Sequence, residues 1–159
     1  MKIITRKATK ADLSAAHQLI YELAVYEKAA HEVVLTLEQF TKDFESSNPV
    51  YKLHVTEITP NNGKPTIVGI ALFYFAYSTW KGKMVYLEDL VVSQAYRRQG
   101  IGEQLIESVF QFARDENANQ VRWHVLDWNE PAIRFYEKLE VKMEEEWVTC
   151  KLEKDKLYL

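Results

Sequence analysis

Apolar positions along this chain change period several times, and each change marks an element. Lys2 to Lys7 reads as a first strand. Thr9-Lys10-Ala11-Asp12 resembles a capping box. Leu13, Ala16, Leu19, Ile20, Leu23 and Ala24 then follow at spacings of three and four, which predicts an amphipathic helix fading near Tyr26-Glu27. Thr36-Leu37-Glu38-Gln39 predicts a second box and a shorter helix to about Phe44, ended by Asn48-Pro49. Tyr51 to Ile58 reads as a strand, Thr59 to Pro65 as a turn, and Thr66 to Tyr77 as a long aromatic strand. Trp80-Lys81-Gly82-Lys83 turns the chain into Tyr86–Val92, so these three strands are expected to form an antiparallel meander. From Gly100 onward, Ile101, Leu105, Ile106, Val109, Phe110, Phe112 and Ala113 predict a helix to about Asn117-Ala118-Asn119. Gln120 to Leu126 reads as a further strand. Asn129 is a candidate N-cap with Pro131 in the first turn of a helix from Ala132 to about Leu139. Val141 to Leu159 is strand-like, with Glu144-Glu145-Glu146 as a turn or charged edge. This order predicts an α/β (α+β) protein: one domain over 1–159, a mixed, mostly antiparallel sheet, and helices on both faces.

Composition narrows the partners. A chain of 159 residues suits a single core, and 47% hydrophobic with 27% charged residues is ordinary for a globular domain. No apolar run nears the ~20 residues of a membrane helix, and the first residues carry no signal-peptide apolar segment. A single cysteine, Cys150, forbids an internal disulfide and is expected to pack as a small hydrophobe; a cytoplasmic location fits. Net charge −3 argues against nucleic acid as a partner and suits a cationic substrate. His17, His31, His54 and His124 show no metal-ligand spacing, so no metal is assigned.

The chemistry concentrates in Tyr86 to Gly102. Two carboxylates, Glu88 and Asp89, interrupt an apolar strand. Arg97-Arg98-Gln99-Gly100-Ile101-Gly102 then opens a helix. Strand, glycine loop, arginines and helix N-terminus together make an anion site suited to a pyrophosphate. Strand period places Glu88 and Asp89 on opposite faces unless a bulge intervenes, and a bulge would also free a backbone N–H beside a carbonyl. The aromatics Phe73, Tyr74, Phe75, Tyr77 and Trp80 are expected mostly in the core and on the sheet face, with one or two left to contact a substrate or a second subunit.

Arg97-x-x-Gly100-x-Gly102 resembles the acyl-CoA pyrophosphate motif of the GNAT superfamily of N-acetyltransferases. A closer resemblance is to the spermidine/spermine (diamine) acetyltransferase family. It rests on Glu22-Leu23-Ala24-x-Tyr26-Glu27, Tyr86-Leu87-Glu88-Asp89, Tyr96-Arg97-x-x-Gly100-Ile101-Gly102, and Trp128-Asn129-Glu130-Pro131-x-Ile133-x-Phe135-Tyr136. The resemblance implies the GNAT fold, acetyl-CoA as co-substrate, and a homodimer. It implies that Leu90, Val91 and Val92 flank the pantetheine and thioester. Arg97, Arg98, Gln99, Gly100, Ile101, Gly102 and Glu103 would hold the pyrophosphate, with Asn129 and Ala132 along the pantetheine. Tyr136 matches the family's catalytic tyrosine and Glu88 its base. Tyr26, Glu27, Glu88, Asp89, Leu126, Asp127 and Trp128 would face the amine. Glu140-Val141 stands where the family has Gly-Ala, a departure at the exit of the last helix.

Independent chemistry supports two of these roles. An amine attacking a thioester expels a thiolate, and a phenol of pKa roughly 10 is a workable donor to a thiol of about 8.5. A protonated amine also needs a base, for which Glu88 is the first candidate and Asp89 the second. No activated cysteine or Ser-His pair is visible, so direct transfer in a ternary complex is expected. The reading is an acetyl-CoA-dependent N-acetyltransferase acting on a small primary amine, a polyamine or diamine. The alternatives are a thialysine-type or other amino-acid amine, a protein lysine, and an acyl-CoA-binding module without turnover.

Overall fold

A computed structural model describes residues 1–157. The unit Met1–His124 carries β1 (Lys2–Lys7), α1 (Leu13–Tyr26), α2 (Leu37–Glu45), β2 (Lys52–Thr59), β3 (Thr66–Ser78), β4 (Gly82–Val92), α3 (Ile101–Asp115) and β5 (Val121–Arg122). Its strands lie in sequence order, β1-β2-β3-β4-β5. The first three pairings are antiparallel and β4–β5 is parallel, so the sheet is mixed and the meander of β2, β3 and β4 is present. A second unit, Val125–Leu159, carries α4 (Glu130–Glu137) and α5 (Lys154–Leu157).

Side-chain alternation sends the sheet's apolar residues to two helical layers. Leu53, Val55, Ile70, Leu72 and Val91 cluster with Leu13, Ala16 and Leu19 of α1 and Phe40 of α2. On the other face, Phe73 meets Phe112 of α3 at 5.0 Å, and His54 Nδ1 lies 2.8 Å from Ser108 Oγ. Full burial of each Leu, Ile or Phe contributes roughly 1.5–3 kcal/mol. Gly69 sets the spacing of α3: a Cβ there would stand 2.9 Å from Leu105 Cδ1 and 3.1 Å from the Val91 carbonyl oxygen. Only a residue without a side chain lets the first turns of α3 lie this close to β3.

Local signals account for the element ends. Asp12 accepts from Thr9 N at 2.7 Å and from both Arg6 guanidinium nitrogens, at 2.7 and 3.0 Å. Arg6 also reaches Glu57 at 2.8 Å, which ties β1, β2 and the start of α1 together. That bidentate pairing holds the Asp12 carboxyl down at about 2, below the usual carboxylate range. Thr36 accepts from Gln39 N at 3.1 Å, but the Gln39 amide turns to Asp43 rather than back, so the second box is half made.

The structure corrects the sequence reading at four places. Gln120–Leu126 was expected as a strand; only Val121–Arg122 pairs, opposite Val85 and Tyr86. Beyond that point β4 carries a bulge, which bends its edge and ends the parallel ladder. Residues 141–153 form no strand and 154–157 are helical, while 158 and 159 lie outside the described residues. Three adjacent glutamates repel one another there, and that charge disfavours a ladder. Cys150, expected to pack as a hydrophobe, is exposed because this stretch has no strand face to bury it. Of the hairpin aromatics, Phe73 is buried, but Tyr77 and Trp80, at the β3–β4 turn, are 76% and 85% exposed.

Candidate active site

The β3–β4 register decides the carboxylate question. Leu72 pairs with Asp89 and Phe73 with Leu87, so Glu88 is an extra residue, a bulge on β4. Tyr74 pairs with Tyr86, and Tyr74 Oη donates to Glu88 Oε2 at 2.8 Å. Asp89 shares its face with Leu72, which packs toward α1. Both carboxylates therefore stand on one face of the sheet, along with Tyr74 and Tyr86. Burial pushes the Asp89 carboxyl up to about 7, with further upward pushes from the charges of Glu88 and Glu27. Burial also raises Glu27, at the end of α1. Burial and the bond to Glu88 raise the Tyr74 phenol, so it stays a protonated donor.

The bulge lies where β4 loses its outer neighbour. Val85 N donates to the Gln120 carbonyl and Asn119 N to the Lys83 carbonyl, closing the β5 side up to Tyr86. Past it, Ser93 N donates to the Val68 carbonyl on the β3 side. Backbone groups alternate along a strand, so those of Leu90 and the N–H of Val92 face the open edge, while Val91 turns inward and is buried. This edge can pair with an extended amide-bearing chain.

The loop after β4 ends in a helix start built for an anion. Gly100 is the N-cap of α3 with φ 75°, and no side chain caps the first turn. The first-turn amides and helix dipole can therefore bind an anion. Arg98 is left-handed at φ 61°, Gln99 is exposed, and Ile101 is buried under the helix. Gly102 and Glu103 sit in the first turn, where the Glu103 carboxylate suits the helix dipole. Arg97 Nε donates to the Val92 carbonyl at 3.0 Å, and its guanidinium lies 5.3 Å from the Tyr26 ring centroid. The cationic loop and the end of α1 thus touch.

In the second unit, Asn129 caps α4 as the sequence suggested, its Oδ1 accepting from Ala132 N at 3.4 Å, with Pro131 in the first turn. Tyr136 is 7% exposed, and burial pushes its phenol up to about 12. Leu126, Asp127 and Trp128 precede the helix and are exposed.

The sequence pattern of the acetyltransferase (GNAT) family matches residues 15–140. The chain belongs to this family. It is an acetyl-CoA-dependent N-acetyltransferase, with acetyl-CoA the donor the family uses. Thialysine N-epsilon-acetyltransferase of Bos taurus is 41% identical over 140 residues, 86% of this chain and 82% of that protein. Human spermidine/spermine N(1)-acetyltransferase-like protein 1 is 32% identical over 96% of this chain, which spans 23% of that longer protein. Among solved structures, an aminoglycoside acetyltransferase from a soil metagenomic sample superposes with TM-score 0.74 at 22% identity, covering 95% of each chain. The GNAT fold expected from the motifs is present.

Two features of this candidate site escaped the sequence reading. Tyr74 was grouped with core aromatics but holds Glu88. Tyr86, raised chiefly by burial, stacks on Tyr74 at 5.4 Å and is hydrogen-bonded to His124 Nδ1. The signal was the hairpin: a turn at Trp80–Gly82 sets Tyr74 opposite Tyr86. Among the described residues, no group of three or more His, Cys, Asp or Glu side chains could hold a metal, and no helix is long and apolar enough to cross a membrane.

Proposed function

We propose that this acetyltransferase acts on a small amine carrying more than one positive charge, a polyamine or diamine, by direct transfer in a ternary complex. The observation that carries this reading is the carboxylate face of Glu27, Glu88 and Asp89. Burial first, and then the neighbouring charges of Glu88 and Glu27, hold Asp89 up at about 7. A dication would relieve that repulsion and the burial cost together. The thialysine-type alternative has the stronger relative, at 41% identity. An amino-acid substrate would bring its own carboxylate to this face, which the charge disfavours.

Acetyl-CoA, when bound, supplies the acetyl group as a thioester. The open edge at Leu90 and Val92 and the uncapped start of α3 fit such a donor. In this reading, Arg97, Arg98 and the amides from Gln99 to Glu103 hold pyrophosphate, and Leu90 and Val92 pair with the pantetheine. Asn129 and Ala132 line its arm. Glu88, aimed by Tyr74, takes the amine proton, with Asp89 as the second base. Tyr136, protonated up to about 12, is the donor to the departing sulfur. Tyr26, Glu27, Asp89, Leu126, Asp127 and Trp128 shape the amine side. One folded domain over 1–159, a homodimer and a cytoplasmic location complete the proposal, and sedimentation checks the dimer.

The test is an acetyl-CoA consumption assay with spermidine, a diamine, thialysine and a lysine peptide. Higher kcat/KM for the polyamine and diamine is expected. Preference for thialysine moves the assignment to amino-acid amines, and preference for the peptide moves it to protein lysines. Tight CoA binding without turnover on any amine identifies a binding module.

A further inference from the structure

We propose that a cavity at the far end of the sheet is a second ligand site, for a small aromatic carboxylate bearing a hydroxyl group. The cavity measures about 350 Å³ and is lined by Lys7, Lys52, His54, Phe75, Phe112 and Glu116, with Tyr51 and Phe44 beside them. Small-molecule sites run from about 300 to 1,000 Å³. It lies by the last turn of α3, whereas the anion site lies at the first. The 15 residues of that helix separate them by roughly 20 Å at about 1.5 Å per residue. No residue named for acetyl transfer lines it.

His54 fixes the polar end. Ser108 Oγ donates its one proton to the Leu105 carbonyl at 2.6 Å. Toward His54 it can therefore only accept, so Nδ1 carries the ring hydrogen and donates at 2.8 Å. Burial lowers the ring to about 4, so it is neutral at pH 7. Nε2 is then a lone-pair acceptor, the polar atom His54 can offer a ligand hydroxyl.

The charge and the walls supply the rest. Lys7 stands directly opposite His54 in the β1–β2 ladder, and cross-strand partners share a face. The Lys52 ammonium lies 5.6 Å from the Phe75 ring centroid and 5.8 Å from that of Phe112. Glu116, the acidic member, is paired with Lys83 at 3.0 Å. Two lysines therefore set the sign of the site, and aromatic rings make its walls. A carboxylate on Lys7 and Lys52, a ring against Phe75 and Phe112, and a hydroxyl on Nε2 satisfy every group.

Calorimetric titration of the full chain with 4-hydroxyphenylacetate tests this. Saturable one-to-one binding is expected, unaltered by saturating acetyl-CoA. Lys7→Gln, an exposed change, should weaken it about tenfold, the size of one charge-assisted hydrogen bond. Phenylacetate, lacking the hydroxyl, should bind more weakly, and only the hydroxylated acid should shift the His54 Nε2 nitrogen resonance. Absence of saturable binding, displacement by acetyl-CoA, or unchanged affinity in Lys7→Gln overturns the proposal.

Discussion

Tyr74 donates its phenolic hydrogen to Glu88 Oε2 at 2.8 Å, an anchor supplied from the neighbouring strand to a residue that the sheet ladder leaves over. A bulged glutamate without that anchor would sample several rotamers. Tyr74→Phe keeps the stack on Tyr86 and deletes only the donor. The expected outcome is a fall of about tenfold in kcat/KM for the amine, the weight of one hydrogen bond to a charged group. The KM for acetyl-CoA should be unchanged. Steady-state kinetics in both substrates check it.

Asp89, as a proposed second base, is expected to set a pH dependence on the reaction. Its carboxyl is held at about 7 by burial and by the charges of Glu88 and Glu27. Amine kcat/KM should therefore rise with pH through an inflection near 7. Asp89→Asn should erase the inflection. Glu88→Gln relieves one of the two repulsions and should move the inflection to lower pH while reducing the rate. A profile that Asp89→Asn leaves in place assigns the inflection to another group.

Stability carries its own pH signature. His54 is held at about 4 in the folded protein against 6.5 in a solvated chain. As pH falls below 6.5, the unfolded state takes the proton first. The stability contributed is therefore full above 6.5 and lost between 6.5 and about 4, roughly 3 kcal/mol in all. Asp89, raised on folding, acts with the opposite sign in the same window, since its folded form keeps a proton the unfolded chain releases. The diagnostic is thus a difference: denaturation of His54→Gln should lack a slope that the parent shows. Asp12 enters only below about 4, where its stabilising pair with Arg6 is lost as pH falls toward 2.

Glu140 occupies a left-handed conformation, φ 55°, just beyond α4. A residue with a Cβ costs about 1–2 kcal/mol there, while glycine's extra freedom when unfolded costs about 0.4–1. Glu140→Gly should raise stability by about 0.5–1 kcal/mol net. Thermal melts should show it as a gain of about 2 °C, with activity intact.

Much of this was legible because local rules govern it. Asn129 and Thr36 cap helices as their types demand, and Leu13, Ala16 and Leu19 are buried as their spacing demands. Strand period alone showed that Glu88 and Asp89 could share a face only through a bulge, without showing that one was there. Which residue bulges did not, because that depends on the register against Leu72 and Phe73, set across a turn. Tyr74 was hidden for the same reason: a tyrosine among Phe73 and Phe75 looks like packing until its cross-strand partner is known. Residues 141–153 carry strand-forming types, yet a strand exists only where an edge receives it, and composition does not encode that edge. Gly69 gave no motif; its role comes from Leu105 and Ile101, more than thirty positions away.

Glu88 can be excised in thought without disturbing a single pairing. Leu87 would still face Phe73, and Asp89 would still face Leu72. A chain one residue shorter would close into a smooth ladder and lose the carboxylate proposed as the proton acceptor. The proposed base is thus a surplus letter in an otherwise regular line. If Glu88 is the base, a single-codon deletion would leave the sheet's register whole and remove the activity with it.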